Sequence, residues 1–151
     1  MIYRHRATFD EMDFARITFF GRHFYWMEHA TTAWLIEQGI GFATLDREYG
    51  FGLAIISVEC KYRAPVHIEQ TVEIHLAVRV LTRRGFSTPF QIIREADGVL
   101  CAYGSITRRL VDIKAVKGAD APDDLYAKFE QMRDESAAMT FPQDAPPAPP
   151  K

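Results

Sequence analysis

FDEMDFARITFFGRHFYWMEHATTAWLIEQ, residues 9–38, is the stretch whose reading decides the fold. It opens on the acidic residues Asp10, Glu11 and Asp13, passes through Phe19 and Phe20, and then settles into helical spacing. Phe20, Phe24, Met27, Thr31, Trp34 and Gln38 recur at steps of three and four, with Leu35 widening the stripe, so the spacing predicts one long helix from about Phe20. Gly39 ends it. Both tryptophans, Trp26 and Trp34, lie in this segment beside Phe24 and Tyr25. So much aromatic bulk on one element predicts a helix that is buried, with sheet around it.

Outward from the helix the pattern is that of strands. Ile2 to Thr8 carries a broken alternation that suits a first strand, with Arg4 and Arg6 on one face. Gly39, Gly41 and Gly50 bracket a connection whose middle, Phe42 to Tyr49, suits a short helix. From Phe51 the period changes to two: Ile56, Val58, Cys60 and Tyr62 alternate with Ser57, Glu59, Lys61 and Arg63 until Pro65. Thr71 to Thr82 reads as one strand, with Val72, Ile74, Leu76, Val78 and Val80 on the face that meets the helix. Arg83, Arg84 and Gly85 form a turn, Phe86 to Glu95 a fourth strand, Asp97 and Gly98 a hairpin, and Val99 to Asp112 a fifth strand. Pro89 calls for an edge position or a bulge. A short helix opening at Pro122 carries acidic and basic residues that mark it as a surface element.

Composition excludes several classes. The chain has 151 residues, 48% hydrophobic and 25% charged, with a formal net charge of -2. That is one soluble domain with a real core, and its balance argues against a nucleic-acid coat. No apolar run reaches the ~20 residues needed to cross a bilayer, and MIYRHRATF has no secretory h-region, so a cytoplasmic protein without membrane association is expected. Cys60 and Cys101 fall inside predicted strands without metal-ligand spacing and are expected as free thiols. No metal and no cofactor are expected, the histidines being scattered. The division is a folded domain over 1–136 and a flexible tail over 137–151 that carries five prolines.

One strand, one long helix and four further strands give an α+β class, in which a curved antiparallel sheet of about five strands wraps around one central helix. Order alone leaves other single-helix α+β folds open, such as the cystatin-like cone.

The motifs narrow the choice. DEMDFARITFFGRHFYWMEHATTAWLIEQGI resembles the D-x-D-x-x-G-h-h-h-h-x-x-h-x-x-h-h-E segment of hotdog-fold acyl-CoA thioesterases of the 4-hydroxybenzoyl-CoA thioesterase type. ECKYRAPVHIEQTVEIHLAVRV is similar to that family's K/R-Y-x-x-P turn and following strand, and READGVLCAYGSITRRLVD to its last hairpin. The resemblance covers about Arg4 to Asp112 and implies hydrolysis of an acyl-CoA thioester. It places Asp13 on the catalytic aspartate and Phe20 on the residue whose backbone N–H polarises the thioester carbonyl. Glu28 falls on a family acid position. Arg16 departs from the pattern, standing where a glycine is usual, and Arg22 and His23 replace a common asparagine and aromatic. An enediyne-synthase branch shares the opening but lacks the acid that this chain keeps at Asp13.

The chemistry is consistent with those roles. A carboxylate is ionised at neutral pH and can attack an acyl carbon or deprotonate water, while free N–H groups at a helix start stabilise an oxyanion. Without the resemblance, Asp13 reads equally as a turn or capping carboxylate. Phe19, Phe24 and Trp26 are candidates for the acyl pocket, with core packing the competing reading. Lys61 with Arg63, Arg83 with Arg84, and Arg108 with Arg109 are candidates for the phosphates of CoA, Arg83 and Arg84 first among them, and each pair also reads as solvated strand-end charge. His23 and His29 raise a dehydratase-like alternative. Hydrolysis of a carrier-protein thioester and non-catalytic acyl-CoA binding are the other readings. Open sheet edges and an incomplete cleft predict a homodimer, which the resemblance extends to a homotetramer.

Overall fold

The structure is a computed structural model, and it describes residues 1–144. Strand β1 (Ile2–Arg6) leads through a 3-10 turn at Phe9–Glu11 to helix α1 (Arg22–Glu37), the one-turn helix α2 (Phe42–Thr44) and a wide turn at Leu45–Tyr49. The sheet is then completed by β2 (Phe51–Tyr62), β3 (Thr71–Leu76), β4 (Arg79–Thr82), β5 (Gly85–Arg94), β6 (Leu100–Asp112) and β7 (Lys117–Gly118), and α3 (Asp123–Glu135) follows. Every pairing is antiparallel, in the order β1-β3-β5-β6-β2, with β4 beside β5 and β7 beside β6. Five strands carry the sheet, as expected, and the two extra ones are short. The sheet curls around α1, which is the hotdog arrangement.

Helix α1 buries Met27, Thr31, Trp34 and Leu35 from the expected stripe, and adds His23, Trp26 and Ala30. The buried face is therefore rotated toward Trp26. Phe20 lies ahead of the helix rather than in it and is 59% exposed. At the other end Gly39 adopts φ +73°, its N–H donates to the Ile36 carbonyl and the Ile40 N–H reaches back to Leu35 at 2.9 Å. Those paired bonds, with buried Ile40 packed in the same core as Leu35, form a Schellman closure.

The expected single strand over Thr71–Thr82 is interrupted. Val72, Ile74 and Leu76 face the helix as predicted, but the ladder breaks at Ala77 and Val78, and Val80 is 79% exposed with φ +46°. Pro89 explains the position of the break. Its carbonyl accepts from Ala77 N–H, so the side of Pro89 that lacks an N–H faces the interruption. Val78 N–H, without a ladder partner there, donates to Ser136 Oγ at 3.0 Å. Pro89 is thus inside the sheet rather than at its edge, and the irregularity falls on the neighbouring strand.

Helix α3 corrects a second expectation. Leu125, Phe129 and Met132, at steps of four and three, are buried, and the Phe129 ring lies 5.1 Å from Phe86. The charges that marked it as a surface element occupy only its outer face. Beyond it, residues 137–144 turn onto the outer face of the sheet: Arg79 Nη2 donates to the Met139 carbonyl, Gln91 Nε2 to the Thr140 carbonyl and Gln143 Nε2 to the Gly104 carbonyl. Phe141 is buried. This part of the expected flexible tail is held because it carries an apolar anchor and its backbone carbonyls find donors. Residues 145–151 lie outside the described residues. Cys60 and Cys101 are free thiols.

Candidate active site

Glu11 ties together the elements that frame the site. Its carboxylate accepts from Trp26 Nε1 on α1 at 2.7 Å, from His5 on β1 at 3.0 Å and from the Thr8 N–H at 2.9 Å. Its main-chain carbonyl accepts the Phe19 N–H at 2.9 Å. Burial pushes the Glu11 carboxyl up, but the bonds from His5, Trp26 and Thr8 outweigh it and hold the group below the usual carboxylate range. The loop from Met12 to Thr18 is thereby pinned at both ends.

Within that loop Asp13 heads a tight turn. Its N–H donates to the Ile17 carbonyl at 2.9 Å, its carbonyl accepts the Arg16 N–H at 3.0 Å, and its Oδ1 accepts the Ala15 N–H at 2.7 Å. One carboxylate oxygen is therefore oriented by the turn, which leaves Oδ2 for other work. Thr18 fastens the loop to the segment after β2, its N–H and hydroxyl both donating to the Val66 carbonyl, at 2.8 and 3.0 Å.

Phe20 is clamped through its carbonyl, which accepts from Tyr62 Oη at 3.0 Å and from His23 Nδ1 at 3.2 Å. The Phe20 N–H finds no acceptor among the described residues. His23 must carry its proton on Nδ1 to make this bond. Burial pushes the imidazole below its ordinary value of 6.5, with the Phe20 and Phe19 carbonyls and Glu11 opposing, so it is neutral at pH 7. Burial likewise raises the Tyr62 phenol, which stays a donor.

Asp13, Ile17, Thr18, Phe20, His23, Tyr62, Arg63, Ala64, Pro65 and Val66 surround a cavity of about 440 Å³. Most of its wall is apolar, with the Asp13 carboxylate on one side. Across the turn, a second hollow of about 420 Å³ is lined by Phe9, Asp10, Met12, Asp13, Arg16 and Ile68.

The structure brings Asp13 and Phe20 to the same cavity and distributes the other sequence candidates elsewhere. Phe19 packs against Phe20 beside the cavity, the ring centroids 4.5 Å apart and the planes tilted by 49°. Phe24 lies with Glu28 at a shallow surface hollow, and Trp26 is fully buried, holding Glu11. Glu28 is paired with the buried Arg108, which also reaches Thr31 Oγ1 and Thr88 Oγ1. Lys61 pairs with Glu59 at 3.3 Å. Arg83 binds Asp123 and the Ala121 carbonyl and lies over the Tyr126 ring, while Arg84 binds Asp120. Those two arginines brace the approach to α3 at the far end of β6, since Arg84 meets Leu110 whereas the cavity segment meets Cys101. His23 is buried and His29 exposed, so the two do not form a pair. Among the described residues no cluster of three or more His, Cys, Asp or Glu is placed to hold a metal ion, and no helix is long and apolar enough to cross a membrane.

Glu11 and Tyr62 are site residues that the sequence does not single out, whereas Arg63 is among the cations considered there for the phosphates. The tyrosine of the K/R-Y-x-x-P motif is the available signal for Tyr62.

Comparison with known proteins bears on the fold and the family. A relative from Aquifex aeolicus (strain VF5), named "Putative esterase", is 27% identical over 94 residues, covering 62% of this chain and 73% of its own. A 1,4-dihydroxy-2-naphthoyl-CoA thioesterase from Synechocystis superposes with a TM-score of 0.79 at 15% identity, over 87% of this chain and 96% of that one. A protein from Staphylococcus aureus solved in complex with CoA superposes with a TM-score of 0.86 at 10% identity, over 99% and 94% of the two chains. These superpositions establish the shared fold. The model of the thioesterase-like superfamily matches residues 7–129, most of the chain, and the protein accordingly belongs to that superfamily of hotdog-fold thioester hydrolases.

Proposed function

We propose that this protein hydrolyses an acyl-CoA or aryl-CoA thioester in the cavity beside Asp13. The observation that carries the proposal is the convergence on one apolar cavity of a carboxylate and a backbone N–H that, among the described residues, keep an oxygen and a hydrogen without a partner. Water attacks the acyl carbon as Asp13 Oδ2 takes its proton, or the carboxylate itself attacks and water then cleaves the anhydride. The carbonyl oxygen becomes an oxyanion that accepts from the Phe20 N–H. Collapse breaks the C–S bond, sulfur leaves with the bonding pair and is protonated, and the free acid and CoA remain. Tyr62 and His23 serve this step by holding the Phe20 carbonyl, hence the Phe20 backbone, in place.

Asp13→Asn is expected to keep the fold and assembly size and to lose at least ~100-fold in single-turnover thiol release, because the amide keeps the shape and removes the base. Circular dichroism checks the fold. Wild-type turnover in the folded variant would overturn the role of Asp13. A panel of aryl and short to long acyl groups, on CoA and on carrier protein, identifies the carrier and the acyl class.

A further inference from the structure

The turn that carries Asp13 is a wall shared by two hollows. Ile17 and Thr18 line the cavity that runs to Tyr62 and Val66, Met12 and Arg16 line the hollow on the other side, and Asp13 alone lines both. The Met12–Thr18 bridge and the bond from the Asp13 N–H to the Ile17 carbonyl hold that wall in shape. A thioester carbon carries two arms, acyl and thiol, that diverge from it. One hollow on each side of the carboxylate suits that divergence. The two sides differ in chemistry. On the wall from Arg63 to Val66, the Ala64 carbonyl and the Val66 N–H have no main-chain partner among the described residues, which suits the amides of a pantetheine arm. The hollow opposite is walled by Phe9, Met12 and Ile68. Phe9 is 83% exposed and Ile68 44%, so apolar surface stands open to water beside the carboxylate. Past Phe9 and Ile68 the surface turns polar: Arg6, Thr8 and Glu69 border the next hollow, and Arg6 Nε donates to the Glu69 carbonyl at 3.3 Å.

We infer that the hollow of Phe9, Met12 and Ile68 is the acyl subsite, and that it takes an apolar acyl chain of about eight carbons. The inference rests on the reading of Asp13 as the centre of a thioesterase site. Size sets the chain length. A space of 420 Å³ is about 9 Å across, which an open chain fills in about seven bonds at ~1.2 Å per bond. Counted from a thioester carbon at Asp13, the eighth carbon then lies at the far side of the hollow, where the polar surface of Arg6 and Glu69 begins. The chain covers the exposed faces of Phe9 and Ile68, and that burial is the source of its affinity.

The test uses non-hydrolysable CoA thioethers that match butyryl-CoA, octanoyl-CoA and dodecanoyl-CoA. Calorimetry on the wild type should show the octanoyl analogue binding about tenfold tighter than the butyryl one, equivalent to ~1.4 kcal/mol, with at most about twofold more for the dodecanoyl analogue. Ile68→Asp sets a charge in the hollow and should cut the octanoyl preference to about twofold or less, whereas Ile68→Leu should keep it. Phe9→Ser, at a more exposed position, repeats the test independently. Equal wild-type affinities for the butyryl and octanoyl analogues, or a preference that survives both Ile68→Asp and Phe9→Ser, would overturn the inference. So would a dodecanoyl gain as large as the first, since the hollow ends at the polar surface past Ile68. Light scattering is run on each variant. A preference lost only together with assembly size would give the hollow to a second copy of the chain and overturn the acyl assignment. Thermal melting monitors the fold. Absence of thiol release from all three esters would count against the hydrolase reading separately, since the binding ratio is read without turnover.

Discussion

Arg16 holds a backbone conformation that branched side chains avoid, with φ +61° inside the turn headed by Asp13. Its N–H closes the turn on the Asp13 carbonyl, and its carbonyl accepts from His67 Nδ1 at 3.2 Å, so the left-handed geometry is used rather than incidental. The resembling motif has glycine at this position, the residue that takes this conformation freely. Arg16→Gly is therefore expected to stabilise the protein by about 1 kcal/mol, with turnover retained. A denaturant midpoint unchanged or lowered in Arg16→Gly would show that the arginine side chain contributes more than its strain costs. Asp13 itself was singled out by the family resemblance, not by its local spacing. Its anchoring by Glu11 was not, since nothing local connects that carboxylate to an indole fifteen residues away and a histidine on another strand.

At the level of elements, α1 was read from its spacing, but the spacing did not say which face carries charge inward. Glu28 sits on the helix with its side chain partly exposed, and it ends at Arg108, whose side chain is wholly buried. Burial works against the arginine's charge and Glu28 works for it, with the net effect a lowered pKa. Arg108 Nε is left without a partner in the buried region, so the pair is already costly and depends on its remaining bonds. Glu28→Ala is expected to cost about 3 kcal/mol by stranding a buried guanidinium, whereas Glu28→Leu combined with Arg108→Met should recover most of that loss. Chemical denaturation of the single and double variants measures both. Full stability in Glu28→Ala would remove the helix-to-sheet bridge from the account.

For the molecule as a whole, the open feature is β2. It lies at the end of the strand order, one of its sides has no partner strand among the described residues, and Ile55, Ile56 and Val58 on it are exposed. Phe14, at the tip of the Asp13 turn, is fully exposed, and Phe9 nearly so. A long unpaired apolar edge is a liability in a monomer and a ready interface between copies. Light scattering over a concentration series is expected to find at least a homodimer, with a Val58→Pro variant shifted toward smaller species because proline removes a donor from the edge. A wild-type monomer with full activity would refute a shared cleft. The division at residue 136 is of the same kind: we propose that truncation there leaves the fold intact, although it removes Phe141 from its place on the sheet.

Asp13 and Phe20 were pointed to by the family resemblance alone, while local spacing, read residue by residue, determined the long helix, its glycine closure, the strand periods and the class of fold. Each depends on neighbours within one turn or one strand, where geometry follows from chain chemistry. Tertiary structure alone decided where Thr71–Thr82 breaks, since the cause is Pro89 on the adjacent strand. It also decided the fates of the charged residues. Arg83 and Arg84 were drawn to acids beside α3, Arg108 was buried beneath Glu28, and Arg63 was left on Tyr103. A charge is satisfied by whatever the fold brings to it across forty or eighty residues of chain, and no period in the sequence records that encounter.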